Sequence, residues 1–179
     1  MRIRLGQLDD ADGLARVHVD SWRAAYKGIV PDEHLASLSY EQRAARWRDN
    51  ITTPANRGTF LYVAANDAGR IIGFAGGGPE RDGDPNYQGE LYALYLHPDY
   101  FRQGLGTRLA TAVAQRLIQD GMSSMLVWVL AQNPARRFYE ALGGQYLYDK
   151  PVTIGGAELI EVAYGWRDIH ALAQKEQPQ

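Results

Sequence analysis

Cysteine is absent from this 179-residue sequence, and so is any long apolar run. Without cysteine the chain has no disulfide, no thiol nucleophile and no zinc–thiolate site. Its apolar stretches fall short of the roughly 20 residues that a membrane-spanning helix needs, and its first residues lack the apolar core of a signal peptide. We therefore expect a protein of the reducing cytoplasm that does not work at a membrane.

An excess of charge of one sign is also missing. Lys and Arg number 19 against 21 Asp and Glu, for a net charge of −2, which leaves no broad basic surface to capture nucleic acid. The four histidines, among them His18 and His97, have no metal-ligand spacing, and we take them as structural. We expect no metal and no nucleic-acid partner, while a local anion pocket is still compatible with this balance.

Length and composition favour one folded domain. A chain of this length that is 45% hydrophobic can bury one substantial core. Neither an internal repeat nor a linker interrupts it. We predict a single domain over residues 1–174, followed by a short tail over residues 175–179.

Two helices precede most of the predicted sheet. Leu14, Val17 and Trp22 recur on one side of the first helix, and aspartates at positions 9, 10 and 12 are available to cap it. The predicted elements of this half are a strand over Arg2–Leu5, that first helix, a second helix over Asp32–Asn50, and a hairpin of strands over Thr59–Ala65 and Arg70–Gly76.

The second half predicts a strand, a crossover helix and a parallel strand. Gly76–Gly89, rich in glycine and proline, is predicted as an exposed loop. The elements that follow it are a strand over Glu90–His97, a helix from Thr107 to Gly121, a strand over Ser124–Leu130, a short helix over Asn133–Gly143, and a closing hairpin of Gln145–Thr153 and Ala157–Tyr164. A closing hairpin is also compatible with a homodimer.

The run Leu94–Leu109 is the most informative segment. Pro98 ends a strand, Gly104 and Gly106 permit a tight turn, and a helix follows whose first amides have no partner within the helix. Such a place binds anions, phosphate above all. A dinucleotide-binding turn is the nearest alternative, but it requires a third glycine where Leu109 stands and a repeated parallel βαβ pattern.

The order of elements and two motifs resemble the GNAT superfamily of acyl-CoA-dependent N-acetyltransferases over nearly the whole chain. The motifs are Phe101–Gly106, where Phe101 takes the place of the family's usual Gln or Arg, and Asn133–Gly143. The resemblance implies an α/β (α+β) fold: a mixed, mostly antiparallel, twisted sheet flanked by helices, with one parallel strand-helix-strand crossover. It also implies acetyl-CoA as cosubstrate, bound by a strand, a loop and an asparagine: Leu94, Tyr95, Leu96, Arg102, Gln103, Gly104, Leu105, Gly106, Thr107 and Asn133.

Acetyl transfer to an amine needs a proton acceptor and a proton donor. An amine with a pKa of about 10.4 must lose a proton near neutral pH, at a cost of roughly 4.6 kcal/mol, and the departing thiolate must gain one. Glu90, which begins its strand, is the candidate base; a solvent-facing carboxylate is the alternative. It is predicted to share a strand face with Tyr92, Leu94 and Leu96. Tyr139 is the candidate acid by resemblance, and core packing is its alternative.

The same resemblance implies that the first two helices form much of the wall of the acceptor site. Their aromatic residues include Trp22 and Tyr26, our candidate substrate-binding residues, together with Tyr40 and Trp47; such residues also occur simply as core. A small amine is a better expectation than a protein lysine, because the charge balance offers no docking surface for a basic tail. We predict direct N-acetyl transfer in a ternary complex, with a non-catalytic acyl-CoA-binding sensor or interaction domain as the alternative.

Overall fold

A computed structural model describes residues 1–53 and 58–175 of the chain. The helices are α1 (Ala11–Ala25), α2 (Asp32–Ser37), α3 (Tyr40–Thr52), α4 (Leu105–Gln119), α5 (Arg136–Ala141) and α6 (His170–Ala173). The strands are β1 (Arg2–Leu5), β2 (Phe60–Ala65), β3 (Ile71–Pro79), β4 (Gly89–Leu96), β5 (Met125–Leu130), β6 (Gln145–Ile154) and β7 (Ala157–Trp166). Of the predicted tail, Lys175 follows α6 and residues 176–179 lie outside the described part.

These strands form one seven-stranded sheet in the order β1-β2-β3-β4-β5-β7-β6. Strands β4 and β5 pair in parallel, and every other neighbouring pair of the described strands is antiparallel. Helix α4 makes the crossover between β4 and β5. The predicted mixed sheet with one parallel strand-helix-strand crossover is confirmed.

Helix α4 packs its apolar side onto one face of the sheet. Leu105, Leu109 and Leu117 recur at helical spacing and are fully buried, and each such side chain contributes roughly 1.5–3 kcal/mol. Glycines let the helix lie this close to the strands. A Cβ on Gly77 would stand 2.9 Å from a Val113 methyl carbon, so any larger residue would push α4 away from β3.

Helices α1 and α3 cover the opposite face. Leu14 and Val17 of α1 pack with Phe74 of β3, and Trp47 of α3 meets Phe74 edge to face at a centroid distance of 5.0 Å. This places Trp47 in the core. Tyr40, also considered for the acceptor site, is exposed and donates to Asp20 Oδ1 at 2.6 Å.

Two predicted helix boundaries are wrong for local reasons. The helix predicted over Asp32–Asn50 is two helices, because Leu38 adopts extended backbone dihedrals and Ser39 starts a new helix by accepting from the Gln42 amide at 3.3 Å. The crossover helix begins at Leu105 rather than Thr107, because Gly104 takes the left-handed conformation immediately before it.

The predicted caps and loop also need correction. Asp10 does not cap α1 with its side chain; it accepts two hydrogen bonds from Arg4, at 2.6 and 2.8 Å, and one from the Gln7 amide at 2.8 Å. Strand β3 continues to Pro79, so the loop before β4 starts later than Gly76. The short helix α6 was not predicted.

Candidate active site

Strands β4 and β5 separate after three residue pairs. They pair in parallel only where Gly89–Leu91 meets Met125–Val127. Beyond that point, among the described strands, β4 pairs only with β3, and β5 pairs only with β7. A gap in the sheet therefore opens along the second half of β4.

The backbone of Leu94 faces this gap. The His97 amide donates to the Ile72 carbonyl at 2.9 Å, and hydrogen-bonded and non-hydrogen-bonded pairs alternate along an antiparallel ladder. Leu94 and Leu96, opposite Ala75 and Gly73, thus occupy positions whose polar backbone groups point away from β3. Ser21 of α1 donates to the Leu96 carbonyl at 2.8 Å, and the register leaves the Leu94 amide without an acceptor on β3.

A bulge in β4 decides which side chains share a face. Gly76 pairs with Ala93 and Gly77 with Leu91, so Tyr92 has no residue opposite it. Leu94 and Leu96 pack with the core under α4, while Glu90, Tyr92 and Tyr95 line a cavity on the other side. The predicted face of Glu90 with Tyr92 is confirmed, and its sharing with Leu94 and Leu96 is wrong, because the extra residue resets the alternation.

The turn into α4 offers a row of unpaired backbone donors. Arg102 has a φ of 59° and Gly104 a φ of 75°, and the first helical hydrogen bond runs from the Arg108 amide to the Gly104 carbonyl at 3.1 Å. Within the described residues, no acceptor is bound by the amides at positions 102–107. This stretch contains all six predicted loop residues: Arg102, Gln103, Gly104, Leu105, Gly106 and Thr107. Such a turn at a helix N-terminus binds anions.

Helix α5 packs against the start of α4. A Cβ on Gly106 would stand 3.1 Å from the ring of Phe138, so glycine at this position lets the two helices touch. Asn133, buried before α5, accepts from the Ala135 amide at 2.9 Å and so closes a turn ahead of the helix, which begins at Arg136 rather than at the predicted Asn133. The turn before α4, residues 102–107, and the segment around Asn133 before α5 are therefore neighbours.

Tyr139 on α5 is 6% exposed, and its hydroxyl forms no hydrogen bond with the described residues. Burial raises the pKa of this phenol, and the nearby Tyr95 raises it further. The side chain therefore keeps its proton through the neutral pH range. A protonated phenol without an internal acceptor is available to donate to a ligand.

A cavity of about 380 Å³ lies on the side of the sheet opposite α4. Both predicted substrate-binding residues, Trp22 and Tyr26, line it, with their rings edge to face at 4.7 Å. Tyr95, predicted for its backbone, contributes its ring to the same wall, and its other side stacks on His18 at 5.0 Å. The cavity thus lies beside the same strand whose backbone borders the gap.

Sequence reasoning missed most of the polar lining. Arg81 and Asp82 come from the loop before β4, Lys150 from β6, and Trp128 and Glu161 from β5 and β7. A usable signal existed for Glu161: it alternates with Leu159 and Ala163, which are inward-facing apolar positions of β7. The other residues reach the cavity only through the pairing of distant strands.

The cavity holds two internal ion pairs. The Glu90 carboxylate, 2% exposed, accepts from Arg81 Nε at 3.0 Å and from an Arg81 terminal nitrogen at 2.5 Å. Lys150 Nζ lies 2.6 Å from Asp82 and 3.9 Å from the centre of the Trp128 ring. Glu161 receives no hydrogen bond or ion pair from the described part of the chain, and burial raises the pKa of its carboxyl.

A family model described as "Acetyltransferase (GNAT) family" matches residues 18–144. This chain belongs to the GNAT acetyltransferase family. Among its GNAT relatives, the N-acetyltransferase YuaI of Bacillus subtilis (strain 168) is 41% identical over 170 residues, which cover 95% of each chain. Spermidine N(1)-acetyltransferase of Thermoplasma acidophilum is 25% identical over 134 residues, covering 74% of this chain and 80% of that one.

The solved structures agree with the GNAT fold. The structure of YncA from Salmonella typhimurium with its cofactor acetyl-CoA matches with a TM-score of 0.68 at 20% identity, covering 100% of this chain and 98% of that one. The predicted fold and the prediction of a GNAT N-acetyltransferase are confirmed.

Two features are absent from the described ranges. Over residues 1–53 and 58–175, no helix combines the length and the apolarity needed to cross a membrane. The same ranges contain no group of three His, Asp or Glu side chains placed to hold a metal ion.

Proposed function

We propose that this GNAT protein transfers the acetyl group of acetyl-CoA to the primary amine of a small molecule, directly and within a ternary complex. One observation carries the proposal: strand β4 borders both halves of the site. The backbone of Leu94 faces the gap beside β5, while the side chains of Tyr92 and Tyr95 line the cavity. A donor bound along the gap and an amine bound in the cavity would meet across a single strand.

The residues at the gap fit coenzyme A. The unpaired amides at positions 102–107 suit its pyrophosphate, since backbone donors at a helix start bind such an anion whatever the side chains are. The Leu94 amide points away from β3 towards the gap, and Asn133 lies in the turn just before α5. Acetyl-CoA supplies the activated acetyl group as a thioester.

The chain's own groups then handle charge and protons. The Leu94 amide would donate to the carbonyl oxygen as negative charge develops there. Tyr139 would give its proton to the departing sulfur, and burial keeps that proton in place until it is needed. A carboxylate of the cavity would accept a proton from the amine, and Glu90, the base predicted from the sequence, is one candidate for this role.

The size of the cavity supports a small acceptor. Its volume of about 380 Å³ lies at the lower end of the range of roughly 300–1,000 Å³ for small-molecule sites. Rings from α1, β4 and β5 form its walls, and the two cations that line it are each paired with a carboxylate. This enclosure favours a compact amine over a peptide segment.

Release of coenzyme A tests the proposal without a background signal. Because the chain has no cysteine, a thiol-reactive dye would report only the released coenzyme thiol. The protein should release thiol from acetyl-CoA when given members of a panel of primary amines, with the N-acetyl products identified by mass spectrometry. Tight binding of coenzyme A without product from any amine would instead support the sensor alternative.

A further inference from the structure

Glu161 occupies an unusual place in the cavity. It lies on β7 between Leu130 of β5 and Lys150 of β6, which are its register partners. Its neighbours on the same face of β7, Leu159 and Ala163, are apolar positions turned towards the core. A carboxylate thus stands between two apolar side chains on the inner face of a strand.

The charges of the cavity do not cancel. Its two cations, Arg81 and Lys150, are each satisfied by a carboxylate of their own, Glu90 and Asp82. Glu161 is left with no ion pair and no hydrogen-bond donor from the described residues. The cavity therefore carries one uncompensated negative charge, in a half-buried position where an unpaired carboxylate destabilises the fold.

The rest of the lining suits a flat or apolar body. Five aromatic rings line the cavity, from Trp22, Tyr26, Tyr92, Tyr95 and Trp128. Aromatic faces bind both apolar groups and cations. Since the described cations of the lining are already paired, a substrate carboxylate would find no free counterion, and a second ammonium group would find no second free carboxylate.

We infer that Glu161 binds the ammonium group of the acceptor and receives its proton, and that the acceptor is a monoamine carried on an aromatic or apolar body without a carboxylate. This inference rests on the proposed function of the same site. Glu90 then serves to hold Arg81 at the wall. Tyr95 of β4 lines the same cavity as Glu161, so the carboxylate shares this cavity with the strand that borders the gap.

The proton balance of the step is simple. The ammonium gives one proton to Glu161, the nitrogen lone pair forms the bond to the acetyl carbon, and the bond from that carbon to sulfur breaks. The sulfur takes the proton of Tyr139, and the second nitrogen proton restores the phenol. One amide and one thiol are formed, and the proton held by Glu161 passes to solvent.

Three amines and one neutral analogue test the inference. Tyramine has one ammonium on an aromatic body, tyrosine adds a carboxylate, spermidine adds further ammonium groups, and tyrosol replaces the ammonium with a hydroxyl. Binding is measured calorimetrically with coenzyme A at saturation, and turnover by thiol release from acetyl-CoA. The wild type should bind tyramine at least tenfold more tightly than tyrosol, tyrosine or spermidine.

Glu161→Gln should weaken tyramine binding at least tenfold and lower its kcat/KM at least 100-fold, with coenzyme A affinity unchanged. Glu158→Gln is the matched control, because Glu158 is an exposed glutamate of the same strand. The inference is overturned if Glu161→Gln binds tyramine within twofold of the wild type, or if tyrosol, tyrosine or spermidine binds as well as tyramine. It is equally overturned if the wild type binds none of the four.

The design separates this inference from the proposed function. If tyramine binds through Glu161 but no amine is ever acetylated, the inferred ammonium site stands and the proposed function fails. If other amines are acetylated and tyramine neither binds nor reacts, the proposed function stands and the inferred ammonium site fails. The comparison of tyramine with tyrosol uses only the wild type, so it remains decisive even if Glu161→Gln does not fold.

Discussion

The guanidinium group of Arg81 donates two hydrogen bonds to the buried carboxylate of Glu90, at 3.0 and 2.5 Å, and lies 4.2 Å from the centre of the Tyr92 ring. This contact ties the loop before β4 to the wall of the cavity. The neighbouring Glu80 reinforces the loop, since its carboxylate accepts from the amides of Asp82, Gly83 and Asp84 at 2.6 to 2.8 Å. A segment that composition marks as an exposed loop is thereby an ordered part of the site.

Breaking this pair should impair acceptor binding more than chemistry. We expect Glu90→Gln and Arg81→Met each to raise the KM for the amine about tenfold and to change kcat less than fivefold, because the first frees the Arg81 guanidinium from its place over Tyr92 and the second removes it. Steady-state kinetics on any accepted amine provide the measurement.

The pH profile distinguishes this positioning role from general-base catalysis by Glu90. If Glu90 only positions Arg81, Glu90→Gln keeps the rise of kcat/KM with pH, and Arg81→Met behaves alike. If Glu90→Gln, unlike Arg81→Met, abolishes the rise of kcat/KM with pH and lowers kcat at least 100-fold, then Glu90 is the base that the sequence predicted.

Tyr139→Phe should lower kcat by roughly 100- to 1,000-fold with little change in KM, the range expected when a general acid is removed. The substitution deletes only a hydroxyl that has no described partner, so the melting temperature should shift by at most a few degrees. Phe138→Leu, next to it on α5, is the control for packing. A full kcat in Tyr139→Phe would leave this residue with a packing role only.

Gly104→Ala should weaken coenzyme A binding about tenfold. At a φ of 75°, an alanine escapes strain by leaving the left-handed region, which turns the amides of the loop away from a shared anion. Gly121→Ala carries the same backbone strain, at a φ of 85° and with open space around it, beyond the far end of α4. Both variants should lose about 1 kcal/mol of stability. Equal coenzyme A affinities in the two variants would argue against the loop as the pyrophosphate site.

His18 should make the protein sensitive to acid. Burial, with a further contribution from Arg43, lowers the pKa of this histidine to about 3, against 6.5 for a free imidazole. Below pH 6.5 the unfolded chain therefore binds one more proton than the folded chain, so the folded state loses stability as the pH falls from 6.5 towards 3.

Between pH 7.5 and pH 5 this loss amounts to about 2 kcal/mol, and His18→Leu should abolish it. The free energy of unfolding in urea, measured at both pH values for the two proteins, provides the check. Groups other than His18 titrate alike in both proteins, so the contribution of His18 is the difference between the two proteins in how the free energy of unfolding changes with pH. Parallel pH dependences would show that folding does not lower the pKa of His18.

The turn into α4, residues 102–107, was the part of the candidate site that the sequence predicted best. Its proposed binding of pyrophosphate depends on backbone amides, and the positions of those amides are fixed by the spacing of Gly104, Gly106 and the helix that follows. Trp22 and Tyr26 were placed correctly at the cavity because both lie on the first helix or at its end. The boundary between α2 and α3 escaped prediction because Leu38 and Ser39 fit a helical pattern as well as a break.

The sequence by itself determined most of the order of strands and helices, the crossover at α4 and the turn that precedes it, because these follow from local periodicity and from where glycine stands. Only the tertiary structure decided which carboxylate is free. The bulge at Tyr92 sets the face of Glu90, the loop carries Arg81 to Glu90, and β6 carries Lys150 to Asp82. Glu161 is left unpaired by the pairing of residues that stand far apart in the chain, and no local pattern encodes that pairing.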